Sequence, residues 1–474
     1  MYFRQVTDPH LAQNAYIIGC QAAGEAVVID PERDVDRYVE VAAGAGLRIV
    51  AVAETHIHAD FLSGARELAS RHEVTLLLSD MGGDDWRYRW IEDGSHDVRR
   101  LRDGDTFRVG GVEIRALHTP GHTPEHMSFL ITDHGGGASQ PMGLASGDFV
   151  FVGDVGRPDL LESAAGQRGA MGPSARTLFR SLGRFRELPD HLQVWPAHGA
   201  GSACGKALGA VPMSTVGYER LFNTALLKAE QGEDAFVEFI LDGQPEPPLY
   251  FARMKRLNRD GAPVLGALPQ PERLAPEELT ARVAETGGVV VDTRHDRRGF
   301  MAAHLPGSLH APYDATFPSI VGSYVRDEPV FLVAEPGDMD GIVRDLVRIG
   351  YDEIVGYADT DAFPYDNSRD VRLVRSEVVT MPQLDALRRH AGHLVIDVRG
   401  KAEFDAGHVP GAMHLPHTRL LETLDEVPRD RTLLVYCRSG RRAAAAAALL
   451  ERAGRSVVLV DDWFENWSPS AAIG

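Results

Sequence analysis

Three observations predict an α/β protein built from more than one domain. Short apolar runs of strand character alternate with helical stretches over the first half of the chain, the pattern of layered sheet-and-helix domains. The chain has 474 residues, more than one typical domain holds, so two to four domains are expected. Toward the C-terminus a group of motifs recurs at a period of about 105 residues, the step from Asp292 to Asp397. That period is too long for a solenoid unit and long enough for a small domain.

From the N-terminus, residues 15–18 and 26–30 read as two strands joined by a turn at Gly24, with Asp30-Pro31 ending the second. Residues 33–43 carry an apolar stripe at helical spacing (Val35, Tyr38, Val39, Ala42), closed by Gly44 and Gly46. Residues 49–53 form a short buried strand, and 61–69 have helical spacing with Ser63 as the cap candidate. Residues 74–78, 106–109 and 112–117 add strands, the last two a hairpin across Gly110-Gly111. Helical segments follow over 218–231 and 234–242, and the proline-rich stretch 268–276 reads as a linker that closes the domain.

Among these elements lie four polar loops beside apolar runs, the last three with glycine next to the polar residue. Thr55-His56-Ile57-His58-Ala59-Asp60 follows a strand, so two histidines and a carboxylate sit on one tight loop from which imidazole nitrogens can converge on a cation. His118-Thr119-Pro120-Gly121-His122-Thr123 adds a histidine on a loop stiffened by proline, where Gly121 permits close approach. Ser146-Gly147-Asp148 and Trp195-Pro196-Ala197-His198-Gly199 add a carboxylate and another histidine. Any one of these loops is ordinary; four in order predict a metal centre.

Together, Thr-His-x-His-x-Asp, Pro-Gly-His-Thr, Ser-Gly-Asp and Pro-Ala-His-Gly resemble the metallo-β-lactamase fold, an αββα sandwich, over roughly residues 1–260. The stretch from Asp148 to Gly156-Arg157-Pro158-Asp159 is similar to the persulfide dioxygenase branch of that fold. The resemblance implies one Fe(II) per chain, held by His56, His122 and Asp148. His58, Asp60 and His198 would then support those ligands or be remnants of a second metal site. Arg157 and Asp159 are candidates for substrate contact or for bracing the site, while Asp154 falls at a variable position of the motif and is left out. Two histidines and one carboxylate on one face of a ferrous ion leave three positions open, as dioxygen chemistry requires. Thioester hydrolases of this fold carry a further histidine where Phe61 stands. Phe61 cannot bind metal, which disfavours a dinuclear zinc hydrolase and leaves a mononuclear one open. Cys204 lies among glycines beside Lys206, and spacing leaves two readings equally open, a thiol of lowered pKa that carries sulfur and a small buried filler. The setting is similar to that in multidomain persulfide dioxygenase–sulfurtransferases of bacterial sulfide detoxification, which implies a catalytic place for Cys204.

The repeat follows the linker. Val289-Val290-Val291-Asp292-Thr293-Arg294 and His304-Leu305-Pro306-Gly307 recur as Leu394-Val395-Ile396-Asp397-Val398-Arg399 and His408-Val409-Pro410-Gly411. Both copies resemble rhodanese domains, α/β modules with a central parallel sheet. In the second, the strand 432–436 opens into Cys437-Arg438-Ser439-Gly440-Arg441-Arg442 and an alanine-rich helix. Such a loop wraps backbone N–H groups around the sulfur, and the helix N-terminus and arginines add positive potential that favours a thiolate or persulfide. Cys437, Arg438 and Arg442 are therefore the catalytic candidates. Phosphatase loops look similar, but the five-residue step from cysteine to arginine and the flanking motifs favour sulfur transfer. The alanine run needs no functional reading, alanine being the strongest helix former. In the first copy Ala334 or Glu335 falls where the cysteine would be, so this copy is expected to be catalytically silent.

The domains are thus expected at 1–265, 266–372 and 373–474. A formal charge of −19 argues against nucleic acid and anionic membrane surfaces as partners. No apolar run approaches bilayer length, no signal segment opens the sequence, and three scattered cysteines make no disulfide framework. A cytoplasmic enzyme with reduced thiols is expected. The resemblance implies a persulfide dioxygenase coupled to thiosulfate sulfurtransferase in sulfide detoxification. Its partners would be a low-molecular-weight thiol persulfide, dioxygen, and sulfite or thiosulfate, and a homo-oligomer is expected. Two other readings stand beside it: a mononuclear zinc thioester hydrolase of the glyoxalase type fused to a sulfurtransferase, and a non-oxidative sulfur-relay protein.

Overall fold

The first half of the chain folds as two six-stranded sheets. The structure, a computed structural model, describes residues 1–163, 166–206, 208–363 and 371–467. It divides into two units, Met1–Leu268 with Val347–Gly350, and Pro269–Leu346 with Tyr351–Gly474. In the first unit, one sheet runs in sequence order through β1 (Tyr2–Asp8), β2 (Gln13–Cys20), β3 (Glu25–Ile29), β4 (Arg48–Ala53), β5 (Thr75–Ser79) and β6 (Val98–Leu101). The other holds β7 (Thr106–Val109), β8 (Val112–His118), β9 (Met127–Asp133), β10 (Gly143–Gly147), β11 (Gln193–Pro196) and β12 (Ser214–Thr215), in the spatial order β12-β11-β10-β9-β8-β7.

Period-two alternation assigns each strand residue to a layer. Tyr16, Ile18, Val27 and Ile29 face the opposite sheet, where they meet Ile114, Ala116, Phe129, Ile131 and Trp195. Ala15, Ile17 and Val28 face outward, onto Tyr38 and Ala42 of the helix Asp36–Gly44 and Leu68 of the helix Ala65–Arg71. The outer face of the second sheet packs on Leu178, Leu182 and Phe185 of the helix Met171–Arg186 and on Phe236 and Ile240 of Glu233–Leu241. The result is the αββα sandwich.

This topology gathers the loops. Strand β4 pairs in parallel with β3 and β5. Strands β8 and β10 are each antiparallel to β9, so they run the same way as one another, and β11 is parallel to β10. The loops after β8, β10 and β11 therefore leave one edge of the second sheet, and these carry His122, Asp148 and His198.

Some boundaries differ from the sequence reading. The helix expected over 61–69 begins only at Ala65, because Ser63 uses its hydroxyl on the Ala65 N–H and on Glu54 and so holds the chain outside the helix. The stretch 218–231 is broken at Asn223, whose side chain accepts from the N–H groups of Ala225 and Leu226 and starts a new helix. The helix Tyr250–Asp260 is an addition.

The second unit contains two five-stranded, all-parallel sheets. The first comprises β13 (Glu272–Arg273), β14 (Val289–Asp292), β15 (Leu309–His310), β16 (Val330–Ala334) and β17 (Ile354–Asp359), in the order β13-β17-β16-β14-β15. The second comprises β18 (Glu377–Val379), β19 (His393–Asp397), β20 (Met413–His414), β21 (Thr432–Tyr436) and β22 (Ser456–Val460), in the order β18-β22-β21-β19-β20. The order is the same in both, and the repeated motifs occupy the same places. Arg294 makes a two-pronged pair with Asp292 and donates to the Ala303 carbonyl; Arg399 does the same with Asp397 and Gly407. His304 and His408 each bond the carbonyl four residues earlier, beside the rings of Phe300 and Phe404. These motifs brace the fold. Among the described residues, no helix is long and apolar enough to cross a membrane.

Candidate functional site

In the first unit, His56, His122 and Asp148 are buried and present one ligand atom each, all within 4.8 Å of one another. Asp148 Oδ2 lies 3.5 Å from His122 Nε2 and 4.0 Å from His56 Nε2. Both oxygens of this fully buried carboxylate lack a hydrogen-bond partner among the described residues. An unpaired buried carboxylate is costly, and a cation facing the two imidazoles would remove that cost. The histidines are prepared for one. Burial lowers the pKa of His56 well below the usual imidazole range, with help from neighbouring imidazoles, and lowers that of His122 too. Neutral rings are the form that binds metal.

Hydrogen bonds aim those rings. His122 Nδ1 donates to the Arg157 carbonyl at 3.1 Å, leaving the Nε2 lone pair toward Asp148. Thr55 donates to Asp30 at 2.8 Å, so its oxygen accepts from His56 Nδ1 at 2.9 Å, which again leaves Nε2 free. His126 is spent differently: its Nε2 accepts from the Asp148 N–H at 3.0 Å and its Nδ1 donates to Thr119. Gly147 has φ +57°, and a Cβ there would meet His126 Nε2 at 2.6 Å, so only glycine brings Asp148 this close.

Several of these supports are absent from the sequence reading. Asp30 holds the Thr55 N–H at 2.7 Å and sits at φ +52°, rare for a non-glycine residue and held there by its N–H, which donates to the Ala53 carbonyl, and its carbonyl, which accepts from the Gln13 side chain. Glu125 accepts from the Ile57 N–H at 2.8 Å. Asn258 donates to the carbonyls of His58 and Phe61 and accepts from the Ser63 N–H. Pro-Glu-His and a polar residue in a helical stretch carry no local sign of these tasks; an unmatched buried polar side chain facing a metal loop is a tertiary signal.

The remaining candidates fall into two further groups. Asp60, His198 and Cys204 form a second buried set with ligand atoms within 4.8 Å. His198 Nε2 lies 3.2 Å from Asp60 and 3.4 Å from Asp148 Oδ1, so Asp148 stands between the two sets. His58 belongs to the third, with Nε2 3.2 Å from Asp30 and 3.1 Å from Glu54. Burial opposes charge on His58, but these two carboxylates outweigh it and raise its pKa well above the usual range. Phe61 is buried against the His58 ring, with centroids 4.3 Å apart.

The reading of Cys204 as an acidified thiol is corrected. Burial, reinforced by the Asp60 and Asp148 carboxylates, pushes its thiol well up. Lys206 gives no help, since its ammonium bonds the carbonyls of Phe239 and Asp242 and lies over the Phe239 ring. Of the two roles open to Arg157 and Asp159, the geometry is that of a brace. Arg157 is buried, pairs with Asp159 through Nε and Nη2, and donates to the carbonyls of Ala203 and Pro245.

In the second unit, Cys437 is buried at the end of β21, and Gly440 (φ +84°) turns the chain into the helix Arg441–Arg452. Arg442 is held by Glu403 at 2.6 and 2.8 Å; burial opposes its charge, but Glu403, with a smaller contribution from the Cys437 sulfur, raises its pKa. Arg438 is exposed, 3.5 Å from Glu465. Strand register decides the vacant position in the other copy. Asp397 pairs with Tyr436, the residue before Cys437, and Asp292 pairs with Val333, the residue before Ala334. Ala334 therefore stands where Cys437 stands, and Glu335 is the following residue.

Residues 8–198 match the family described as the metallo-beta-lactamase superfamily, and residues 380–470 match the rhodanese-like domain. The chain is similar to the solved structure of a metallo-beta-lactamase from Staphylococcus aureus subsp. aureus COL, with 38% identity and a TM-score of 0.67 over 76% of this chain and 98% of that one. It is 28% identical to the mitochondrial persulfide dioxygenase ETHE1 of Bos taurus, over 47% of this chain and 75% of that protein. It is 33% identical to the hydroxyacylglutathione hydrolase of Gloeobacter violaceus, over 39% of this chain and 62% of that protein.

Proposed function

Because the chain belongs to the metallo-β-lactamase superfamily, we propose that its first unit is an iron-dependent persulfide dioxygenase and its second a sulfurtransferase working through Cys437. The observation that carries the first half is Asp148, a buried carboxylate with neither oxygen bonded, facing two imidazoles whose other nitrogens are already engaged. His56, His122 and Asp148 would hold a ferrous ion, which would supply dioxygen activation. The net conversion is RSSH + O2 + H2O to RSH, sulfite and two protons. The protein fixes the two ring orientations, keeps both rings neutral by burial, and locks the Asp148 loop through His126 and Gly147.

At Cys437 the thiolate attacks the sulfane sulfur of thiosulfate. A Cys437 persulfide forms, the old S–S bond breaks, and sulfite leaves with the electron pair. The reverse step joins carried sulfur to sulfite made in the first unit, and one chain bearing both sites raises the effective concentration of each product near the other. The middle copy is read as a rhodanese domain whose nucleophile is replaced by Ala334. A second reading, a zinc thioester hydrolase, draws on Asp60, His198 and Cys204, three more buried donors beside Asp148, and on the similarity to the hydroxyacylglutathione hydrolase. The lack of a ligating residue at position 61 weighs against it.

The test is anaerobic purification, elemental analysis, and oxygen uptake with a panel of thiol persulfides. About one iron per chain with persulfide-dependent uptake is the expected result and names the carrier thiol. Zinc alone, with no uptake after iron reconstitution and with thioester cleavage, overturns the dioxygenase reading.

A further inference from the structure

Within the second unit, the cysteine-less copy reaches the Cys437 loop directly. Arg297 opens the helix Arg297–Ala302 of that copy. Its Nη2 donates to the Ser439 carbonyl at 3.2 Å and its Nε to Asp461 Oδ1 at 2.6 Å. Arg298 donates to the other oxygen of Asp461 at 2.9 Å. Asp461 follows β22, is buried, and lies so close that a Cβ on Gly440 would come within 2.2 Å of its Oδ1. Arg441 pairs with Asp314, also from the cysteine-less copy. Tyr324 ends the helix Phe317–Tyr324 of the same copy. Its hydroxyl is buried without a hydrogen-bond partner among the described residues, and burial raises its pKa.

The peptide between Ser439 and Gly440 is planar and trans, so its carbonyl and N–H point in opposite directions. A carbonyl pinned on Arg297 turns the Gly440 N–H away from Arg297. A flipped peptide would instead turn the carbonyl oxygen away from Arg297. A cradle of N–H groups holds an anion only while those groups converge. The other charges at the loop are already matched, Arg442 by Glu403, Arg441 by Asp314 and Arg438 by Glu465.

We infer that the cysteine-less copy completes the Cys437 site: Arg297 is a positioning residue that sets the Ser439–Gly440 peptide through the Ser439 carbonyl and Asp461. This rests on Cys437 being the sulfur carrier. It gives the silent copy a task that needs no nucleophile.

The test compares full-length wild type with Arg297→Ala, Arg297→Gln, Arg297→Lys and Cys437→Ser. The readouts are thiosulfate-to-cyanide sulfur transfer, the pH profile of Cys437 alkylation, and melting temperature. Arg297→Ala is expected to lower kcat/KM about tenfold, as a slightly misplaced cradle does, and to move the alkylation midpoint to higher pH. Arg297→Lys keeps the Asp461 pair and should recover part of both. Arg297→Gln keeps a long polar side chain but loses the Asp461 ion pair and should slow transfer several-fold; it decides the matter if Arg297→Ala fails to fold. Wild-type kcat/KM and alkylation midpoints in both Arg297→Ala and Arg297→Gln, beside an inactive Cys437→Ser, would overturn the inference alone. Full activity in Cys437→Ser would instead remove the carrier reading on which it stands.

Discussion

Replacing Asn258 with alanine probes how the metal loop is held from a distance. Its side chain donates to the His58 carbonyl at 2.8 Å and the Phe61 carbonyl at 2.7 Å, and accepts from the Ser63 N–H at 2.9 Å. All three partners are main-chain groups of the segment that carries His58 and Asp60, and Asn258 is 7% exposed, so water does not readily replace it. At about 1 kcal/mol net per buried bond, the loss is about 3 kcal/mol, offset by about 0.5 kcal/mol from alanine's better helix propensity. The first unit should then melt about 5–10 °C lower. Calorimetry on the full chain, resolving the transition of that unit, gives the shift, and a chelator challenge gives the rate of metal loss, which should rise. Asn258→Asp should be worse than alanine, since it sets an oxygen against the two carbonyls. A shift below about 2 °C with an unchanged rate of metal loss would refute the reasoning, because three bonds of this kind cannot vanish so cheaply.

Other expectations concern separate parts of the chain. His122→Ala should abolish metal retention and oxygen uptake while thiosulfate sulfur transfer continues, and Cys437→Ser should do the reverse; loss of both activities in either variant would contradict two separable sites. Gly156→Ala places a Cβ 1.8 Å from the Asp148 carbonyl and 3.1 Å from the His122 Cβ, so it should cost about 3 kcal/mol and release metal, read by melting and elemental analysis. Cys204 has its thiol pKa raised by burial and by Asp60 and Asp148, so less of it is thiolate at neutral pH when folded than when unfolded. In metal-free protein, iodoacetamide should label it more slowly than in urea at the same pH, and the gap should narrow as pH rises. Equal rates by peptide mapping would contradict that environment.

The candidate donors were legible because their loops are local features, and the choice of His56, His122 and Asp148 among them came from the family resemblance. Histidines and a carboxylate on short loops, each just after an apolar run, mark strand ends that can share one edge, and the structure brings His56, His122 and Asp148 together there. The hairpin 106–117 and the repeat of one sheet order around the recurring motifs were legible for similar reasons, since turn chemistry and a repeated motif need no knowledge of distant neighbours. Helix starts were less so, because Ser63 and Asn223 choose among hydrogen-bond partners that folding supplies. For Cys204 beside Lys206 the sequence left an acidified thiol open, yet the lysine turns to Phe239 and Asp242, while burial and two carboxylates act on the sulfur.

The sequence by itself therefore determined the fold class, the donor types, and the difference between a copy with Cys437 and one without. These follow from residue identity and from periodicity of 2 or 3.6 residues along the chain. Tertiary structure alone decided that Ala334 occupies the cysteine's place, that Arg157 braces Asp159, that Asn258 holds a loop 200 residues away, and that Arg297 reaches the Ser439 carbonyl. Hydrogen bonding and desolvation depend on which groups meet after the chain has closed over them, and no local pattern carries that information.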